Sequence, residues 1–288
     1  MYEQHWGLRK TPFGTDRDAE SYFAGSSHHS ALLKLRFLVD HRRGAGLLVG
    51  PSGAGKSRLL QALLPEDDAN AAPVVRVVYP LMSPLELLCF IVRELGDGQP
   101  EIANIKADIM KVAGPMIVGG SMDLVLRQLI DRLRTLTEQG RPAVIVIDDA
   151  HTISDRQVFQ SLHLLLNLQQ HQGVEFTLIL AGQPELVGMT KRLPQLDDRI
   201  SIPCVLTALT ASETSAYVEH RLRAVGAAYA IFSRAALQAV HELSGGLPRR
   251  INRLCDFALL VGYAEGLGLI DAEHIEGVSA ELSLARAA

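Results

Sequence analysis

With 288 residues, the chain is long enough to bury one large α/β core or a main domain beside a smaller one, and two units are expected. Its 28 lysines and arginines stand against 32 aspartates and glutamates, a net charge of -4. That balance excludes the global basic field that drives non-specific nucleic-acid binding, so any DNA-facing surface must be local.

The opening residues, "MYEQHWGLRK", carry charge where a signal peptide needs an apolar core. No run reaches the roughly 18 uninterrupted apolar residues of a membrane span. "FALLVGYAEGLGLI" comes nearest and is broken by Glu265 and its glycines, so a cytoplasmic protein is expected. Cys89, Cys204 and Cys255 lie far apart in apolar runs, with no CxxC pair and no histidine at ligand spacing. They are read as core thiols in a reducing compartment.

From the N-terminus, residues 1–27 mix aromatic, Pro and Gly residues and read as an irregular arm. "HSALLKLRFLVDHRR" comes next with helical period, placing Ala31, Leu32, Leu35, Leu38 and Val39 on one face. The short apolar runs "GLLVG", "VVRVVY", "AVIVIDD", "EFTLILAG" and "ISIPCVL" then alternate with amphipathic segments. Their length and β-branched bias are those of buried strands, which predicts a five-stranded parallel sheet covered by helices. Between the second and third runs, the Gly-rich stretch from Gly96 to Asp123 is only weakly periodic and reads as a helical insertion with a mobile loop. From about Thr210 the β signal ends. "SETSAYVEHRLRAV", "SRAALQAVHEL", "PRRINRLCDFALLVGYAEG" and "DAEHIEGVSAEL" predict a small all-helical domain over 210–288, after an α/β domain over 28–209.

The chemistry concentrates at two places. Gly50, Pro51, Ser52, Gly53, Ala54, Gly55, Lys56 and Ser57 match G-x-x-x-x-G-K-[ST], directly after a strand and before the helix-forming "RLLQALL". Glycines let the backbone curl so that successive N–H groups form an anion cradle, and the helix N-terminus adds partial positive charge. Lys56 is expected to reach the terminal phosphates of ATP, and Ser57 to offer its hydroxyl to Mg²⁺. The second place is "AVIVIDDAH", where Asp148 ends a buried strand and supplies the metal's carboxylate. Asp149 comes directly after it, at the position of the residue that polarises the attacking water. That residue is usually Glu, and Asp is shorter by about 1.5 Å. A misplacement of about 1 Å can cost on the order of 10²-fold in rate, so slow turnover is expected. The alternative for Asp149 is a helix cap.

These residues resemble an AAA+ ATPase, and within that class the ExeA/GspA type associated with general secretion and related pilus or envelope machineries. The resemblance runs through "HWGLRKTPF", "SSHHSALLKL", the phosphate loop, "IDDAH", "LILAGQPEL", "LPQLDDRISIPCVLTALTASETSAYVEHRL" and "SGGLPRRINRLCDFAL". "AGQPEL" together with "GLPRRIN" is far narrower than the loop alone. The resemblance implies that Gln183 hydrogen-bonds the γ-phosphate or the attacking water, its alternative being a turn residue before Pro184. It implies that Arg199 reaches a neighbouring subunit's nucleotide, the alternative being a surface pair with Asp197 or Asp198. Arg249, in "GLPRRIN", would contact phosphate from the lid, with Arg250 and Arg253 on a solvated face, and the adenine is expected near His28, Tyr22 or Phe23.

Together the motifs and the resemblance imply an ATP- and Mg²⁺-dependent AAA+ protein that forms a homo-oligomer with shared sites. It would power or regulate a secretion, pilus or polysaccharide-export assembly through a partner that recruits it to the inner membrane. Several relatives carry a membrane span and a cell-wall-binding region after the lid, and the resemblance here does not extend to those. The alternatives are a DNA-associated ATPase of the transposition-regulator type, which would bind DNA with strong salt dependence, and a nucleotide-held switch with negligible hydrolysis.

Overall fold

The structure is a computed structural model that describes residues 1–14, 22–42, 44–64, 72–96 and 122–287. Residues 97–121 of the expected insertion lie outside the described residues. The chain packs as two compact units, one of residues 31–49 and 63–205, the other of residues 1–30, 50–62 and 206–288.

The first unit holds the sheet. Its strands are β1 (Ala45–Val49), β2 (Val74–Val77), β3 (Ala143–Ile147), β4 (Phe176–Gly182) and β5 (Ile200–Val205), in the spatial order β2-β3-β4-β1-β5. All neighbours run parallel. The inner strands β1, β3 and β4 are buried at every position, which explains their unbroken apolar runs. β5 departs from the buried strand expected there: exposure alternates along it, and it carries Pro203. It is an edge strand, where a residue without an N–H costs no ladder hydrogen bond.

One face of the sheet packs on α3 (Pro84–Glu94), α4 (Met122–Glu138) and α5 (Arg156–His171) through Leu87, Ile91, Leu129, Leu133, Leu162 and Leu166. In α1 (Ser26–Asp40), Ala31, Leu35 and Leu38 are buried as the periodicity predicts. Gly46 in β1 admits α1, because a Cβ there would stand 2.6 Å from Leu38 Cδ2. Register fixes what shares the carboxyl edge of the sheet. Val49 pairs with Gly182 and Ile147 with Leu180, so the residues following β3 and β4 emerge side by side. Two short helices, α6 (Glu185–Lys191) and α7 (Pro194–Asp197), lie between β4 and β5.

In the second unit, α8 (Ala211–Ala224), α9 (Arg234–Ser244), α10 (Pro248–Ala264) and α11 (Ala272–Ala287) pack around Val240, Ile251, Ala258, Leu259 and Ile275. The arm belongs to this core. Tyr2, Trp6, Leu8 and Phe13 are buried in it, and Trp6 Nε1 donates to the Leu259 carbonyl at 3.0 Å. Gly262 makes room, since a Cβ there would meet the Trp6 ring at 2.8 Å. Arg221 straps the arm from α8, donating through Nε to the Pro12 carbonyl at 2.7 Å and through Nη2 to that of Gly14 at 3.0 Å. The cysteines divide: Cys204 and Cys255 are buried, whereas Cys89 lies exposed on α3, contrary to the core position expected of it. Burial pushes the Cys204 thiol up to about 11.

Candidate nucleotide-binding site

The phosphate loop precedes α2 (Lys56–Leu63) and takes the shape its sequence demands. Gly53 and Gly55 have φ of 81° and 99°, the left-handed region that side chains resist. Space is as restrictive as conformation. A Cβ on Gly53 would stand 2.8 Å from Arg249 Cβ, one on Gly55 3.2 Å from His28 Nε2, and one on Gly50 2.9 Å from the Leu206 carbonyl oxygen. Lys56 is buried, its Nζ donating to the carbonyls of Gly50 at 2.8 Å and Pro51 at 3.1 Å. The ammonium is thereby held inside the loop's curve, where it would meet phosphate oxygens.

Two neighbours hold the loop from outside. His28, in the first turn of α1 and buried, donates from Nε2 to the Ala54 carbonyl at 2.7 Å. The backbone N–H of Arg249 donates to the Gly53 carbonyl at 3.2 Å, and Arg249 Nη1 to Ser52 Oγ at 3.4 Å. Pro248 begins α10, so the helix N-terminus meets the loop directly through the Arg249 N–H. Arg250 and Arg253 are exposed. Of the residues expected near the adenine, His28 is a loop ligand and Phe23 packs edge-on against Tyr217 at 5.7 Å. The Tyr22 hydroxyl is buried without a hydrogen-bond partner among the described residues, and that burial raises its pKa against the opposing pull of Arg58.

At the carboxyl edge of the sheet stand the residues after β3 and β4. Asp148 Oδ1 accepts from the Asp149 N–H at 2.9 Å. Asp149 adopts φ 48° and ψ 34° ahead of a 3₁₀ turn, Ala150–Thr152, and its side chain makes no cap hydrogen bond. The capping alternative therefore fails for Asp149; the next helix, α5, is capped by Asp155. Gln183 follows β4 with its Nε2 2.9 Å from His151 Nε2.

Arg199 lies at the other edge. Ile200 pairs with Ala45, the first residue of β1, so Arg199 is a strand's length, about 15 Å, from the edge that carries Asp148 and Gln183. Its Nη2 donates to Asn167 Oδ1 at 2.9 Å and Gln170 Oε1 at 2.8 Å. Among the described residues it pairs with neither Asp197 nor Asp198, so in place of the alternative surface ion pair it holds two neutral amides. The fold thus gathers the phosphate loop, His28 and Arg249 in one group, gathers Asp148, Asp149, His151 and Gln183 in another, and sets Arg199 apart. Two loop ligands carry little sequence signal, because their partners are backbone carbonyls that any residue type supplies.

A five-stranded parallel sheet with a phosphate loop after β1, acidic residues after β3 and a trailing helical unit defines a P-loop ATPase of the AAA+ class. The family model described as the AAA domain matches residues 39–190, and the chain belongs to that family. It is 30% identical over 268 residues to General secretion pathway protein A of Aeromonas hydrophila, covering 92% of this chain and 46% of that protein. The chain thus spans less than half the length of that relative, whose type of AAA+ ATPase is the one its motifs resemble. Among solved structures, Cdc6p from Pyrobaculum aerophilum matches with a TM-score of 0.70 at 17% identity, covering 94% of this chain and 70% of that one. The Orc2 protein of Aeropyrum pernix, solved as ADPNP-ADP complexes, matches at 0.69 and 15% identity over 94% and 71%. The Thermotoga maritima RuvB Holliday junction branch migration motor matches at 0.59 and 16% over 90% and 70%. These three likenesses are of fold. No helix of the described residues is long and apolar enough to cross a membrane.

Proposed function

We propose that the chain binds and hydrolyses ATP with Mg²⁺, as a cytoplasmic homo-oligomer with shared sites, to power or regulate a secretion, pilus or polysaccharide-export assembly. In this reading residues 1–27 are the arm, 28–209 the ATPase domain and 210–288 the lid. The observation that carries it is the loop itself: Gly53 and Gly55 at positive φ, Lys56 seated in the curve, and neighbours that would stand within 3.0 Å of a Cβ on Gly50 or Gly53. Such a cradle matches the shape and charge of a triphosphate.

The Ser57 hydroxyl and the Asp148 carboxylate are hard oxygen donors of the kind Mg²⁺ takes, and each would serve as a protein ligand to it. Bound there, Mg²⁺ would neutralise charge on the terminal phosphates. The loop N–H groups and Lys56 hold the phosphate oxygens and stabilise the charge that builds on them. Asp149 accepts a hydrogen bond from the attacking water, and Gln183 orients that water or the γ-phosphate. The water oxygen bonds to the γ-phosphorus as the bond to the ADP oxygen breaks, its electron pair leaving on ADP and the water proton passing to phosphate. Arg249, at the start of α10 and on the loop, is the lid's link to nucleotide state. The secretion role is supported by the likeness to General secretion pathway protein A and by nothing in the site.

The test is ATP binding and single-turnover hydrolysis by the wild type and by Lys56→Ala. Wild-type hydrolysis is expected, with ATP binding lost in the variant because the charge within the loop is gone. A Lys56→Ala protein that binds ATP within about threefold of wild type would overturn the reading. Binding without turnover would leave the nucleotide-held switch, and tight salt-dependent DNA binding would favour the DNA-associated alternative.

A further inference from the structure

His151 touches two of the residues to which the ATPase reading gives a role. It lies in the 3₁₀ turn after Asp149, with its side chain only 14% exposed. On one side its Nε2 is 2.9 Å from Gln183 Nε2. As the amide stands, that nitrogen can only donate, so the imidazole Nε2 accepts and the neutral ring carries its proton on Nδ1. On the other side, Nδ1 is buried with no hydrogen-bond partner among the described residues and lies 3.8 Å from Asp149 Oδ1. That separation is about 0.9 Å beyond an ordinary N–H···O bond.

The space for this ring is reserved. A Cβ on Gly182 would stand 3.3 Å from His151 Nδ1, 3.2 Å from its backbone nitrogen and 2.9 Å from Leu186 Cδ2. The Asp149 carboxylate, for its part, makes no hydrogen bond among the described residues and is 60% exposed, free to turn. A buried donor without a partner and an acceptor just out of its reach are two halves of one bond.

We propose that His151 is a positioning residue for ATP hydrolysis, its Nε2 holding the Gln183 amide and its Nδ1–H receiving the Asp149 carboxylate when that group turns to hold the attacking water. The ring then makes one unit of two water-handling groups from adjacent strands. It fixes the orientation of an acid that, being Asp, has less reach than the usual Glu. The inference rests on the ATPase reading, and its test is built to separate the two.

Wild-type hydrolysis is measured first, because its absence would overturn both. Given turnover, His151→Ala is expected to lower kcat on the order of 10²-fold while KM and ATP affinity stay within about threefold. His151→Gln, whose amide can both donate and accept, is expected to recover part of the loss. Gly182→Ala, which displaces the ring without removing it, should mimic His151→Ala in kcat. The effect should also be non-additive: in an Asp149→Asn background, His151→Ala should cost almost nothing further. ATP binding is read for each protein, so reduced kcat with unchanged binding isolates positioning from lost fold. A wild-type kcat in His151→Ala, or a loss fully additive with Asp149→Asn, overturns the inference and leaves the ATPase reading intact.

Discussion

Asp149 stands where the backbone favours a short acid. Its φ of 48° puts it in the left-handed region, where Asp and Asn are the side chains most at ease after glycine. Such backbone costs on the order of 1–3 kcal/mol and tends to persist at functional sites. Asn suits the same conformation and removes only the charge. Asp149→Asn is therefore expected to keep its melting temperature and ATP affinity and to lose about 10²-fold or more in single-turnover rate. Equal rates in the two proteins would remove Asp149 from the reaction. Among single residues, the phosphate loop was legible because its chemistry demands particular residue types at fixed spacing. The grip of His28 on Ala54 was not, because the acceptor is a main-chain oxygen and the approach spans 26 residues.

Among the helices, the start of α8 carries more than its own cap. Thr210 and Glu213 form a capping box, and Glu213 also accepts from the backbone and hydroxyl of Ser26 at 2.7 and 2.6 Å. One carboxylate thus ties the first residue of α1 to the first turn of α8. The hydrogen bond from the Ser26 hydroxyl, followed by those from the backbone of Ser26 and Thr210, lowers its pKa from 4.5 to about 2. With the folded value depressed, the stabilisation is fully present above the unfolded value and is lost as pH falls from about 4.5 through about 2. Glu213→Ala is expected to cost about 1 kcal/mol in urea unfolding at neutral pH, with the gap to wild type closing as the pH is lowered through that window. A gap independent of pH would assign the loss to packing. The bond from Glu213 to Ser26 carries no local sequence signal, because it spans 187 residues. β5 was recognisable as a strand but not as an edge, since periodicity reports burial and strand order is set by crossovers.

For the protein entire, the separation of Arg199 from the carboxyl edge of the sheet bears on assembly. An arginine about 15 Å from that edge cannot serve the group there in its own subunit, and one held by two neutral amides keeps its charge for another partner. If it completes a neighbour's site, hydrolysis per subunit should rise with protein concentration. Arg199→Ala should abolish that rise with ATP affinity nearly intact. Excess Lys56→Ala protein, which still carries Arg199, should partly restore activity to Arg199→Ala, with sizing chromatography confirming that the two co-assemble. Concentration-independent wild-type activity, unaffected by Arg199→Ala, would point to a monomeric enzyme.

The five strands, the phosphate loop, the acidic pair after β3 and the trailing helices could all be read from the order of residues alone. Each of these is written in local terms: apolar runs of strand length, glycines where φ must be positive, a lysine and serine at fixed spacing, helical periodicity without β-branched runs. That the arm belongs to the helical core emerged only on folding, through Trp6 against Leu259 and Arg221 against Pro12. Folding likewise brought His151 between Asp149 and Gln183, and set Arg199 at the far edge from both. These relations join residues distant in the chain through backbone acceptors, strand order and the space left by a missing Cβ. None of them requires a residue type that composition or spacing can announce.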